Sequence, residues 1–251
     1  MLETASVLGA GGPADADART HVVVDPAVFH DTVSGAVVLA ADAHHHCARV
    51  LRLRSAERIT LTDGHGRWAE ALLAPSFVET GEVILASPVR LMSDPPDVGV
   101  AFSLTKGDKP ETVVQKLTEL GVRRIIPVRS LRSIVKWDVD KAERNNARLA
   151  LIARSALEQS RGVWLPIIEP AISAELLAQR PGVVRADRGG RPLRSEDAVV
   201  AIGPEGGWDA FERQLLPEAV GLPGLVLRAE TAAIVAGALL VGLHARQPET
   251  T

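Results

Sequence analysis

Sulfur chemistry is almost absent from this chain: of its 251 residues one is a cysteine, Cys47. A lone thiol cannot close an intramolecular disulfide, so the expected compartment is a reducing one, the cytoplasm. Long apolar runs are missing too. No stretch approaches the roughly 18 apolar residues that span a bilayer, and MLETASVLGAGGPADADART at the start lacks a basic region followed by an apolar one. Neither export nor a membrane partner is expected. The chain has no GxxxxGK[ST] phosphate loop, no internal repeat and no coiled-coil heptad. What remains is an ordinary globular composition, 46% hydrophobic, enough for one large core or two modest ones.

An excess of positive charge is also lacking. A net charge of −3 argues against a nucleic-acid partner only until its distribution is considered. Residues 103–148 carry eleven Lys/Arg against six Asp/Glu, and residues 44–67 carry five Arg against two acids. Two basic segments in an otherwise acidic chain are what an RNA-binding face leaves behind, and equally what two solvated surfaces leave.

Along the chain, residues 1–20 read as a loose Ala/Gly/Asp-rich arm, and residues 21–88 as short strands separated by turns, a small β-barrel. Ile59 and Leu61 alternate into Asp63-Gly64 and return through Trp68 to Leu73, which predicts a hairpin. One helix over 43–52, capped by Asp42, interrupts the strands. Three prolines mark 89–97 as a linker. From 98 to 247 strands alternate with helices, which predicts an α/β domain with a parallel sheet covered on both faces.

Two segments carry chemistry. AVVAIGPEGGWDAFE is a buried-type strand that ends in Gly203-Pro204-Glu205-Gly206-Gly207, and such a turn lies beyond the carboxyl end of its strand, where α/β sheets bind ligands. A tight strand-to-helix turn without a ligand would have the same composition. LVLRAETAAIVAGALL reads as a short strand running through Arg228 into a helix, with Glu230 and Thr231 in its first turn and small residues along its length. A buried closing helix with Glu230 complementing the helix dipole is the plainer reading. His44-His45-His46-Cys47 offers metal-ligand types, but consecutive helical residues point about 100° apart and cannot converge on one ion, so no metal is expected.

GPEGG and LRAETAA in that order, with KGDKPETVVQKLTELGV upstream and HHHCARVLRLR and TDGHGRWAEA earlier still, resemble the bacterial 16S ribosomal RNA uridine-N3 methyltransferases of the knotted SPOUT class. The likeness runs from His21 onward. It implies a PUA-like RNA-binding barrel followed by a knotted parallel-sheet domain, a homodimer, S-adenosylmethionine as methyl donor, and 16S ribosomal RNA of the small subunit as partner. Carried over by position, the cofactor residues are Gly203, Pro204, Glu205, Gly206, Gly207, Leu225, Val226, Leu227, Arg228 and Thr231. Arg228 and Glu230 are the catalytic candidates, and Arg49, Arg52, Lys106, Lys109, Arg132 and Arg161 the RNA-binding ones. The chain departs from the family pattern twice: the 221–227 connection is short, and Arg161-Gly162 stands where the family reads Gly-Arg. Two other readings stay open, a knotted methyltransferase for another RNA base and a non-catalytic RNA-binding or ribosome-assembly protein of the same fold.

Overall fold

The structure, a computed structural model, describes residues 12–29, 35–105, 107, 109–133, 135, 137 and 139–245. It divides into two compact units, Met1–Asp94 with Leu157–Leu165, and Pro95–Ala156 with Pro166–Thr251. Lys106, one of the RNA-binding candidates, lies outside the described residues, as do residues 1–11 of the expected arm.

The first unit is built on strands β1 (Thr20–Val23), β2 (Ala36–Val38), β3 (Arg58–Thr62), β4 (Arg67–Leu73), β5 (Glu82–Leu85) and β6 (Arg90–Leu91). They form a sheet in the order β1-β3-β4-β5-β2, with β6 on β4; β1 runs parallel to β3 and the remaining pairs are antiparallel. The predicted hairpin is β3–β4, with Ile59 opposite Ala71 and Leu61 opposite Ala69. Ile59, Leu61, Leu73, Phe77 and Val83 are almost fully buried and make the core. The described part of the arm is not loose: Pro13 and Ala18 are buried.

The helix expected over 43–52 is two pieces, α1 (Ala41–His45) and a π-helical turn over His46–Val50. Its cap is Ala40, without a side-chain bond, and Asp42 sits inside the first turn. His44 is turned onto the ring of Phe77, edge-on at 5.3 Å, which explains one of the three histidines by packing. A short helix α2 (Phe77–Thr80) ends at Gly81, whose φ of +74° suits glycine.

Sequence patterns gave no sign that 157–165 would return to this unit. His21 explains the return. Its ring is buried, with Nδ1 2.8 Å from Thr60 Oγ1 and Nε2 2.8 Å from the Gly162 carbonyl oxygen. The Val23 N–H also donates to Glu158 Oε1, and His65 bridges to Trp164. Burial pushes the His21 pKa down to about 4, the Gly162 carbonyl opposes the shift, and the Arg161 charge adds to it. Because the folded value lies below the unfolded one of 6.5, the unfolded chain takes up the proton first as pH falls. Stability should therefore be complete above pH 6.5 and decline toward pH 4, by up to roughly 3 kcal/mol. Denaturant melts across that range should show the slope in the native protein and a flatter profile in His21→Gln.

The second unit contains β7 (Gly99–Ser103), α3 (Lys109–Glu119), β8 (Arg124–Arg129), α4 (Val139–Ser160), β9 (Ile167–Ile168), β10 (Ile172–Ser173), α5 (Ala174–Ala178), β11 (Val183–Arg191), β12 (Val199–Ile202), α6 (Ala210–Leu215), β13 (Ala219–Val220) and α7 (Ala229–His244). The last turn of α4 belongs to the first unit. All ladders are parallel, in the order β10-β8-β7-β12-β11-β13 with β9 on β8. Period-two alternation sends Val100, Phe102, Ile125, Val200 and Ile202 into a core with α3 and α7. Ala101, Ile126, Val128, Val199 and Ala201 meet Leu177, Trp208 and Leu216 on the other side. Both faces are covered, as parallel sheets require. Among the described residues no helix is long and apolar enough to cross a membrane.

Small residues in α7 serve the expected close packing. A β-carbon at Gly237 would fall 2.5 Å from Leu117 of α3. The strand expected over 225–227 is absent, and the sheet instead ends one step earlier, at β13. Pro223 and Gly224, the latter at φ +103°, turn the chain out of the sheet, leaving Leu225 90% and Val226 74% exposed.

Candidate active site

The glycine-rich turn follows β12 directly. Its corner is closed by the Gly207 N–H donating to the Pro204 carbonyl at 2.8 Å, with Gly207 at φ +71°, a conformation open to glycine at little cost. Trp208 packs beneath: a β-carbon on Gly203 would meet its indole nitrogen at 3.0 Å. Asp209 caps α6, accepting from the Phe211 N–H at 3.0 Å, while Glu212 reaches back to the Asp209 N–H. Glu212 also accepts from the Leu131 N–H at 2.8 Å.

Arg132 completes the clamp. Its guanidinium donates to the Gly206 carbonyl at 3.1 Å and lies 3.4 Å from the Asp209 carboxylate. Arg132 thus braces the turn from the side of β8, an arrangement that a reading of residue 132 as a simple phosphate contact did not anticipate.

Lys109, in the first turn of α3, brings three distant segments to one ammonium. It donates to Glu205 at 2.6 Å and lies 3.8 Å from Glu230. The hydrogen bond from Lys109 holds the Glu205 carboxyl below its ordinary value, and the same bond raises the Lys109 ammonium. Glu230 therefore faces Lys109 and not Arg228. Its Oε2 is buried and accepts no hydrogen bond among the described residues.

Arg228 is the N-cap residue of α7, extended at φ −67° and ψ 156°, and exposed. Among the described residues its guanidinium has no carboxylate partner. Gly203, Pro204, Glu205, Gly207, Val226, Leu227 and Arg228 all line one cleft of about 380 Å³. Leu225, Val226 and Leu227 line a second hollow of the same volume. The two share Ala186, Asp187, Val226, Leu227 and Ala232. Gly206 faces the Arg132 side of the turn, Glu230 stands behind at Lys109, and Thr231 is exposed in the first turn of α7.

Asp187 was not singled out in the sequence, yet it lies at the seam. β11 pairs with β13 through Ala186, slips, and rejoins at Arg191, so residues 187–190 leave the ladder and Asp187 lines both hollows. The crossing behind them is tight: a β-carbon at Gly190 would fall 2.5 Å from the Val220 backbone, and one at Gly221 2.9 Å from the Gly190 carbonyl oxygen. Asp187 is held by Arg213 at 2.8 Å and by the Arg188 N–H at 2.9 Å. The available signal was Asp187 followed by Gly189-Gly190 after an apolar strand start.

The remaining basic candidates lie in the first unit. Arg49 and Arg52 are exposed, Arg52 at the left-handed φ of +56°. Arg161 donates weakly to the Ala14 carbonyl at 3.4 Å and occupies φ +57° just past α4, the position where the family pattern has glycine. No group of three or more His, Cys, Asp or Glu side chains able to hold a metal occurs among the described residues.

Comparison with known proteins bears on the whole chain. Residues 93–241 match the family model of the RNA methyltransferase domain. The chain belongs to that RNA methyltransferase family. Residues 39–75 match the PUA domain of RNA methyltransferases, which makes the first unit PUA-like. The ribosomal RNA small subunit methyltransferase E of Mycobacterium bovis is 30% identical over 227 residues, 81% of this chain and 85% of that protein. A Neisseria gonorrhoeae protein of the same name, solved bound to S-adenosyl methionine, aligns with a TM-score of 0.77 at 28% identity, covering 89% of this chain and 97% of that one. A putative methyltransferase from Legionella pneumophila, in complex with the same cofactor, gives 0.77 at 26% identity over 88% and 96%.

Proposed function

We propose that the protein transfers a methyl group from S-adenosylmethionine to N3 of a uridine in 16S ribosomal RNA of the small subunit. One observation carries the reading: the GPEGG turn and the 226–229 segment, distant in sequence, line the same cleft at the carboxyl end of β12, beside Ala186 and Asp187 of β11.

The residues suit the cofactor. The cleft mixes backbone groups of a glycine-rich turn, apolar Pro204, Val226, Leu227 and Ala232, and the Asp187 carboxylate, the mixture that an adenosine with ribose hydroxyls calls for. Trp208 Nε1, buried without an acceptor among the described residues, marks this corner as one with hydrogen-bonding capacity in reserve. When bound, the cofactor supplies an electrophilic methyl on a sulfonium.

Uridine N3 is an imide nitrogen that must lose its proton for its lone pair to attack, and the charge left behind spreads to the flanking carbonyl oxygens. Arg228 stabilises that charge. Its guanidinium borders the cleft, pairs with no carboxylate among the described residues, and stands at the positive end of α7. Glu230 acts through Lys109, tying α7 to Glu205 of the turn, and Thr231 is exposed beside it without lining either hollow. Arg49 and Arg52 supply phosphate contacts from the PUA-like unit. Exposed Leu225, Val226 and Leu239 support the expected homodimer, and the tight backbone crossing at Gly190 and Gly221 supports the expected knot.

The test is incubation of the purified protein with small subunits lacking the modification and labelled S-adenosylmethionine. Nucleoside mass spectrometry should return 3-methyluridine from the 16S RNA. Label on another base, or none, would overturn the assignment.

A further inference from the structure

Outside the reactive cleft the second unit has a separate pocket of about 250 Å³, at the carboxyl end of β7. This is smaller than the roughly 300–1,000 Å³ of sites that take drug-sized ligands, and on the scale of a single nucleobase. Thr105, Trp137, Asn145, Lys141 and the Glu111–Arg148 pair surround it. We propose that this pocket takes one unpaired base of the RNA substrate, beside the nucleotide that is methylated.

Three observations support the assignment, which rests on the methyltransferase reading above. First, Trp137 packs against the core while also lining the pocket, so an indole is fixed where a base can stack on it. Second, the Asn145 carboxamide makes no hydrogen bond among the described residues, and it offers one donor and one acceptor to a base edge. Arg148 is two-thirds exposed and 2.8 Å from Glu111, near enough to the mouth for its outer nitrogens to meet a phosphate.

The third observation is position. β7 and β12 are neighbours in the sheet, so the pocket and the reactive cleft open at the same edge. Lys109 stands in the chain between Gly107 and Pro110, which line the pocket, and its ammonium touches Glu205, which lines the cleft. An RNA strand laid along this edge places one base in the pocket while its neighbour reaches the cleft. Among its described lining residues the pocket has one glycine, Gly107, and an indole, a lining that suits a stacking ligand.

Fluorescence anisotropy with a labelled single-stranded fragment of 16S RNA tests the assignment without requiring turnover. Trp137→Ala and Asn145→Ala should each weaken RNA binding, Trp137→Ala by about ten-fold or more, whereas Trp137→Phe should retain most of it. Calorimetric affinity for S-adenosylmethionine should stay within about two-fold in every variant, and thermal melts report whether loss of the indole has unfolded the chain. Asn145, on the half-buried face of α4, keeps the test available if Trp137→Ala does not fold. Wild-type RNA affinity in a folded Trp137→Ala together with Asn145→Ala, or in Asn145→Ala alone if the first does not fold, would overturn the pocket. Weakened RNA binding in the variants of a wild-type protein that transfers no methyl group would uphold the pocket and sink the reaction.

Discussion

Arg228→Ala should lower kcat/KM for methyl transfer by about 100- to 1,000-fold, equivalent to roughly 2.7–4 kcal/mol of transition-state stabilisation. The estimate follows from where the guanidinium stands. It is exposed, it borders the cleft, and no carboxylate among the described residues neutralises it, so its removal takes away charge aimed at the substrate and disturbs little else. The backbone of Arg228 caps α7 through its carbonyl, which accepts from the Ala232 N–H at 2.8 Å, and alanine preserves that bond. A thermal midpoint within a few degrees of wild type should therefore accompany the loss of activity. Arg228→Lys should recover part of the rate, because it restores the charge without the planar fork.

The second large effect is expected at Ala232. This residue lines both hollows, one turn into α7, at the edge of the core that holds Ala233 and Ala236, so a larger side chain there fills cleft volume. Helix propensity changes by well under 1 kcal/mol on replacing alanine with tryptophan. The indole would occupy the seam between Asp187 and Leu227, so Ala232→Trp should weaken S-adenosylmethionine binding by about 100-fold or more, roughly 2.7 kcal/mol. Ala232→Ser, nearly the same size, should bind as wild type does.

The large regular pieces were legible because their physics is local. Val100 and Phe102 alternate with Ala101, and Val200 and Ile202 with Val199 and Ala201, so the parallel strands announce themselves as continuous apolar runs buried on both sides. The GPEGG turn and the AET helix start were visible for a similar reason, since glycine and a first-turn acid have meaning within a few residues. Other features depend on partners distant in the chain. Asp187 joins the cleft only because β11 slips against β13, and Arg132 reads as one more surface cation until its bond to Gly206 is seen. Lys109 likewise belongs to a basic run in sequence and to Glu205 and Glu230 in space. The strand expected at 225–227 failed because its apolar residues, read locally, meet every rule for a strand, while Pro223 and Gly224 carry them away from β11. Arg161 at φ +57° shows the reverse: an exchange of two neighbours in the sequence left the turn in place and put an arginine where the backbone favours glycine.

Everything turns on whether the corner after β12 and the first turn of α7 make one receptacle for a methyl donor. Isothermal titration of the purified chain with S-adenosylmethionine, run beside Ala232→Trp, answers this directly. The account predicts saturable heat for wild type at one cofactor per chain and an affinity at least about 100-fold weaker for the folded variant. Equal affinity in both, or no heat from wild type, would contradict it.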